Sequence, residues 1–362
     1  MSFQRGSPQP ATNVAGGESK SETLSRMTSL PLWLTPPQIG SGVPPATRSA
    51  LGPLAEMVDD PRVTDVFVTS SGEVFVDTGE GAHVVPGLLL PPPEARELAR
   101  HLIEQGGRHV DEATPLVDVH LTGGLRVHVA LWPIARAGAE ISVRIHRHHK
   151  PQLERLSLEN ADAVTPVLVD AVENKKTLLI TGATGSGKTT LLGALMAFAP
   201  PTERLVVLED VAELSIDHPH VVSLECRQPN IEGVGEVTLT RLVREALRMR
   251  PDRLIVGECR GAEWADLLRA FMTGHQGGAT TLHATSLADV PLRIDSLASL
   301  ANLTSRQAAL HTASAIDLVI HVDNLPGGAR HLSFGVPFVN KEGALRVLPV
   351  EEMASQASIA PR

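Results

Sequence analysis

One uninterrupted stretch constrains this chain more than any other: Gly182-Ala183-Thr184-Gly185-Ser186-Gly187-Lys188-Thr189-Thr190. It satisfies the pattern G-x-x-x-x-G-K-[ST] without a gap. The apolar residues 177–180 before it read as a buried parallel strand, and residues 190–198 after it read as a helix. That context gives the pattern its meaning. Glycines let successive N–H groups turn inward around a chain of phosphates, and the start of the helix adds the positive end of its dipole. In such a loop Lys188 reaches the β- and γ-phosphates and the Thr189 hydroxyl holds Mg²⁺. The stretch therefore predicts a bound nucleoside triphosphate, held by residues 182–190.

The rest of the chain divides by composition. Residues 1–48 are rich in Ser, Pro, Gly and Thr and predict a loosely ordered segment, interrupted by the apolar island 30–34. Residues 49–146 predict a small α+β domain. Its elements are a hairpin at 63–68 and 73–77, a helix at 92–104 with Ala95, Leu98, Ala99 and Leu102 on one face, and strands at 116–121, 125–131 and 140–145. The basic run His146-Arg147-His148-His149-Lys150 lacks further ligands for a metal, so residues 147–152 read as a hinge.

Residues 153–362 predict the second domain. A helix at 161–173 precedes the loop strand, and continuous apolar strands follow at 204–208, 253–256, 279–282 and 318–322 with helices between them. Such strands indicate a mostly parallel sheet covered by helices on both faces, with ligands at the carboxyl ends. There the sequence places Glu209, Glu258 and His283. Phosphoryl transfer to water needs little besides positioning, charge neutralisation and a carboxylate to orient the water. Glu258 occupies the usual second-motif position near Mg²⁺, Glu209 is the competing general base, and Arg260 follows two residues after Glu258. His283 is placed to sense a γ-phosphate, and His275 is a weaker candidate for the same work. A helix over 238–249 buries Leu239, Leu242, Val243, Ala246 and Leu247, leaving Arg241, Arg244 and Arg248 as a solvated face.

Composition excludes several alternatives. A net charge of −9 argues against a chain that coats itself on nucleic acid. Two cysteines, Cys226 and Cys259, imply neither a disulfide framework nor a metal site and fit a reducing compartment. No apolar run approaches the roughly 20 residues of a membrane span, and the N-terminus shows no secretory signal pattern.

Four motifs together resemble the ATPases that power type II secretion, type IV secretion and type IV pili, with the nearest likeness in the tight-adherence (Flp pilus) and conjugal-transfer-associated branch. They are the phosphate loop, the acidic box at 207–214, the stretch 247–261 and the histidine box at 273–284. The resemblance implies a RecA-like P-loop NTPase domain behind the small N-terminal domain, ATP with Mg²⁺ at the cleft between them, and a ring of six copies. It also implies Mg²⁺ ligands at Thr189 and Glu258, and it assigns the base role to Glu209. Arginines brought from the N-terminal domain map onto Arg126 and Arg144. The implied work is assembly or export of protein subunits at the inner face of the cell membrane, through a membrane platform partner. The rival readings are a DNA-translocating conjugation motor and a nucleotide-gated scaffold with little turnover.

Overall fold

Alternation of apolar and polar residues builds the first sheet. A computed structural model describes residues 43–350, apart from 80, 147–149, 228, 230–233 and 327. The island at 30–34 and most of the basic run after His146 therefore lie outside the described residues. Helices α1 (Pro45–Leu51) and α2 (Ala55–Asp59) come first among the described elements, and α1 starts within the stretch read as loosely ordered. They are followed by β1 (Asp65–Val68), β2 (Glu73–Asp77), β3 (Ala82–Leu89), α3 (Pro92–Gln105), β4 (Leu116–Leu121), β5 (Leu125–Ala130) and β6 (Glu140–Ile145). The strands form one antiparallel sheet in the order β3-β2-β1-β6-β5-β4.

Every second residue of β4, β5 and β6 is buried, among them Val117, Val127 and Val143, and these pack with Ala99, Leu102 and Ile103 of α3. The period of two fixes the consequence: Asp118, Arg126, His128 and Arg144 stand on the opposite, polar face. Strand β3 was not foreseen from the sequence. It is an edge strand with mostly exposed residues and carries Pro86 and Gly87, so it has neither alternation nor an apolar run.

Burial on both faces builds the second sheet. Its elements are α4 (Ala161–Glu173), β7 (Leu178–Gly182), α5 (Lys188–Met196), β8 (Leu205–Glu209), β9 (Val221–Glu225), α6 (Leu239–Ala246), β10 (Arg253–Val256), α7 (Glu263–Met272), β11 (Ala279–His283), α8 (Val290–Leu300), α9 (Ser305–Ala315), β12 (Leu318–Asn324), β13 (Arg330–Val339) and β14 (Leu345–Pro349). The order is β14-β13-β12-β7-β11-β10-β8-β9, parallel from β12 to β9 and antiparallel at β13 and β14. Every residue of β7, β8 and β10 is buried. Leu178, Ile180, Val207 and Ile255 pack towards α4 and α5, whereas Leu179, Leu208, Leu254 and Val256 pack towards α6, α7, α8 and α9. The expected two-sided parallel sheet is therefore present. Strand β9 and the antiparallel β13–β14 extension are additions that short, half-exposed sequences did not announce.

Two helix limits differ from expectation for local reasons. Helix α5 starts at Lys188 rather than at residue 190, because Gly187 at φ +94° marks the last non-helical position. Helix α6 is capped by Thr238, whose hydroxyl accepts from the Arg241 N–H, and tightens into a 3-10 turn (Leu247–Met249) before Pro251.

Opposite the loop end of the sheet, Arg253 is fully buried. Its Nε donates to Glu203 at 2.6 Å, and its Nη2 and Nη1 donate to the carbonyls of Val172 at 2.8 Å and Gly277 at 3.3 Å. One guanidinium thus ties the end of α4 to the turns that enter β8 and β11. Removing the carboxylate leaves this charge uncompensated in the interior. Glu203→Ala should cost about 3 kcal/mol of unfolding free energy, read by urea denaturation; a loss below about 1 kcal/mol would show the carbonyls suffice.

Candidate active site

The carboxyl edge of the parallel sheet gathers the polar groups. Strand β7 delivers Gly182 at its end, and the loop 183–187 turns from there into α5. The Lys188 amine is largely buried and folds back onto its own loop, donating to the carbonyls of Ala183 at 2.7 Å and Gly182 at 3.1 Å. Burial pulls its pKa down, opposed by the nearby Glu258. Within the loop the Ser186 Oγ is buried with no hydrogen-bond partner among the described residues. Gly185 accepts a long contact from Asn324 Nδ2 at 3.4 Å, Thr184 shares a hydrogen bond with His283 Nε2 at 3.4 Å, and Thr190 is exposed on the first turn of α5. A buried ammonium resting on carbonyls and an orphaned buried hydroxyl are what a phosphate chain would satisfy.

Across from the loop lies a cleft lined by Thr189, Glu209, Asp210, Glu258, Arg260 and Arg126, among others. Each arrives from a different element: Thr189 from α5, Glu209 from the end of β8, Glu258 and Arg260 from the loop after β10. Arg126 comes from the polar face of the first sheet. Glu258 accepts from Arg260 Nη2 at 2.6 Å and faces His283 Nε2 at 3.4 Å. The Arg260 and Gly261 amides donate to Glu263, each at 2.7 Å, which braces the loop that carries Glu258. Thr189 and Glu258, the expected Mg²⁺ ligands, line the same cleft, so the oxygen donors present fit a hard divalent cation.

Glu209 differs from Glu258 in environment. It is almost fully buried, and its Oε1 accepts the N–H groups of Leu214 at 2.8 Å and Glu213 at 3.0 Å. Its Oε2 makes no hydrogen bond among the described residues. Gly257 leaves room for it, since a Cβ there would sit 2.9 Å from Glu209 Cγ. Burial, with Glu213 and Glu225 nearby, outweighs the two amides and pushes its pKa up to about 7. A carboxylate poised near neutrality can take up a proton at working pH.

The remaining expected residues are distributed as follows. His283, the last residue of β11, lies in register with Gly182, and burial pulls its pKa down with help from Lys188. His275 does not join the cleft: its Nδ1 pairs with the Ala270 carbonyl at 3.2 Å, so it finishes α7. Arg126 and Arg144 are directly opposed on β5 and β6. Like charges so placed repel, and each is offset by a carboxylate, Arg126 by Asp118 at 3.3 Å and Arg144 by Asp65 at 2.9 Å. Arg126 lines the cleft; Arg144 is not among its lining residues. Sequence reasoning missed Glu263, which its place three residues after Arg260 could have suggested as a brace. It also missed Asn324 and Arg330, for which no local signal exists.

A strand–loop–helix phosphate site on a two-sided parallel sheet, with carboxylates at the neighbouring strand ends, defines a P-loop ATPase of the RecA-like kind. A family model described as type II/IV secretion system protein matches residues 48–325. The chain belongs to this family. A putative conjugal transfer protein of Mycobacterium tuberculosis is 40% identical over 309 residues, covering 83% of this chain and 87% of the relative. The type IV secretion system protein VirB11 of Brucella abortus is 32% identical over 327 residues, covering 78% and 87%. The pilus retraction motor PilT, solved with bound ADP, shares the fold at a TM-score of 0.58 and 22% identity, covering 84% of this chain and 87% of that one.

The elevated pKa of Glu209 has a sign that can be checked in the nucleotide-free protein. Its folded value lies above the unfolded one, so its contribution to stability is present below pH 4.5 and lost as pH rises through about 7. Between those limits wild type should lose on the order of 3 kcal/mol that Glu209→Gln retains, measured by denaturation at about pH 5 and about pH 8. Parallel losses in both proteins would show that Glu209 is already ionised at pH 5.

Proposed function

We propose that this family member is an ATP-hydrolysing motor working as a ring on the inner face of the cell membrane, where it drives assembly or export of protein subunits through a membrane platform partner. The observation that carries the reading is the single cleft shared by Thr189, Glu209, Glu258, Arg260 and Arg126. In this reading Lys188 leaves the Gly182 and Ala183 carbonyls to meet the β- and γ-phosphates. Thr189 and Glu258 would hold a Mg²⁺, which supplies neutralising charge at the phosphates. Water attacks the γ-phosphorus as the bond to the bridging oxygen breaks, and the water's proton passes to Glu209 Oε2. His283, tied to both Thr184 and Glu258, links the γ-phosphate position to β11.

Arg126 supplies charge from the first sheet. Its partner Asp118 is well exposed, and such a surface pair is worth only about 0–1 kcal/mol, so exchanging it for a phosphate costs little. Arg144 is the second candidate, held by the less exposed Asp65. The reading divides the chain into an N-terminal domain to residue 146, a hinge and a motor domain from residue 153. Ion pairs among the described residues that join the two parts include His120 with Glu225 at 3.7 Å, His146 with Glu213 at 3.8 Å and Lys150 with Asp217 at 2.6 Å. Among the described residues no helix is long and apolar enough to cross a membrane.

Steady-state ATPase assays test the roles. Lys188→Ala should abolish turnover. Glu209→Gln should keep nucleotide affinity while kcat falls by two or more orders of magnitude, as expected for a lost base. Trapping by Glu258→Gln with an active Glu209→Gln would reverse the two assignments. Arg126→Ala should bind ATP but hydrolyse it about 10³-fold more slowly, and the segment from residue 153 should be similarly slow. Turnover by that segment close to full length would remove the arginines from the mechanism.

A second reading, a motor that moves DNA, is favoured by the names of the conjugal transfer relatives. Single-stranded DNA that raises kcat several-fold would move the assignment there; no response supports protein cargo.

A further inference from the structure

The phosphate loop is held from outside by a hairpin that lies at the far end of the motor sequence. Strands β12 and β13 pair so that Asn324 and Arg330 face each other beside the turn that closes the hairpin. Asn324 reaches the Gly185 carbonyl, and Arg330 Nε donates to the Ser186 carbonyl at 3.1 Å. The guanidinium lies close against the next residue: a Cβ on Gly187 would come within 2.8 Å of Arg330 Nε and 3.4 Å of its Cζ. Arg330 is itself fixed by its main chain. Its N–H donates to Ser157 at 2.7 Å and its carbonyl accepts from Glu159 at 2.8 Å, in a parallel bridge with Leu158. That segment is the run that connects the first sheet to α4. Arg330 lies beyond residue 325, where the match to the family model ends.

We propose that Arg330 is a positioning residue for the phosphate loop. A peptide unit has its carbonyl and N–H on opposite sides, so a carbonyl held outward turns the following N–H inward. Arg330 holds the Ser186 carbonyl out and thereby aims the Gly187 N–H at the space a β-phosphate would occupy. Asn324 makes a longer contact to the Gly185 carbonyl, whose following N–H, on Ser186, donates to the Ala183 carbonyl at 3.3 Å. Nη1 and Nη2 of Arg330 make no hydrogen bond or ion pair among the described residues, so the hold on the loop is the bond from Nε. Without it the loop samples other peptide orientations, and binding a nucleotide must first select the competent one. The penalty falls equally on substrate and transition state, so it raises KM and leaves kcat comparatively intact.

This inference rests on the loop binding a nucleotide, so wild type is measured beside each variant with fluorescent ATP and ADP analogues and in steady-state hydrolysis. Arg330→Met should weaken ATP and ADP binding equally, by roughly tenfold, with a matching rise in KM and a fall in kcat below about threefold. Arg330→Lys keeps the charge but not the Nε donor and should show the same loss. Asn324→Ala, which removes the weaker hold, should show the same split to a smaller degree and provides the test if the Arg330 variants do not fold. Full affinity in Arg330→Lys would make charge the operative property and overturn the proposal. So would a loss confined to ATP, which would mean direct contact with the γ-phosphate, or a fall in kcat at constant KM. Wild type that binds neither analogue would instead overturn the nucleotide site itself.

Discussion

Strands buried on both faces have no solvent to satisfy their backbone groups, so β7, β8, β10 and β11 pair along their length and leave their unpaired polar atoms at the ends. This constraint organises the molecule. At one end the ends are closed off by Arg253, which collects two carbonyls and a carboxylate. At the carboxyl end the loop 183–187 stays open, with its buried lysine resting on its own carbonyls. Structural closure and chemical opportunity therefore occupy opposite edges of one sheet.

Electrostatics at the open edge sorts two glutamates that look alike in sequence. Glu258 has Arg260 and His283 as close partners and stands at the mouth of the cleft. Glu209 has two amide donors but is buried beside other carboxylates, and desolvation prevails. Burial thus leaves Glu209 near its titration point, while Glu258 is engaged by Arg260 and His283. Separate roles for neighbouring acids follow from environment rather than from residue type.

The first sheet contributes by its back. Its apolar face is consumed by α1, α2 and α3, and the period of two leaves a polar face on which Arg126 and Arg144 stand opposed. Each guanidinium is offset by a carboxylate on its own sheet, Arg126 by the exposed Asp118 and Arg144 by the less exposed Asp65. Among the described residues, ion pairs of His120 with Glu225 and of His146 with Glu213 reach from the first sheet and its end to the motor domain.

The sequence alone determined the loop, the parallel buried strands and the positions of Glu209, Glu258 and His283 at strand ends. Each of these follows from short-range pattern: a fixed spacing, an apolar run, a polar residue after it. Arg126 entered through the family resemblance, and the alternation of β5 is what stands it on the polar face of its strand. What the sequence left open depended on distance through space. His275 stands in the same histidine box as His283, yet it caps a helix because the turn at 276–278 carries the chain away before β11 returns. The strands β3, β9 and β14 carry no clean alternation and no continuous buried run, so nothing local marks them. The hold of Arg330 on Ser186 joins residues 144 positions apart, and only the pairing of β12 with both β7 and β13 brings them together. The relative burial of two carboxylates was likewise decided by packing, since desolvation is a property of everything around a group rather than of its neighbours in the chain.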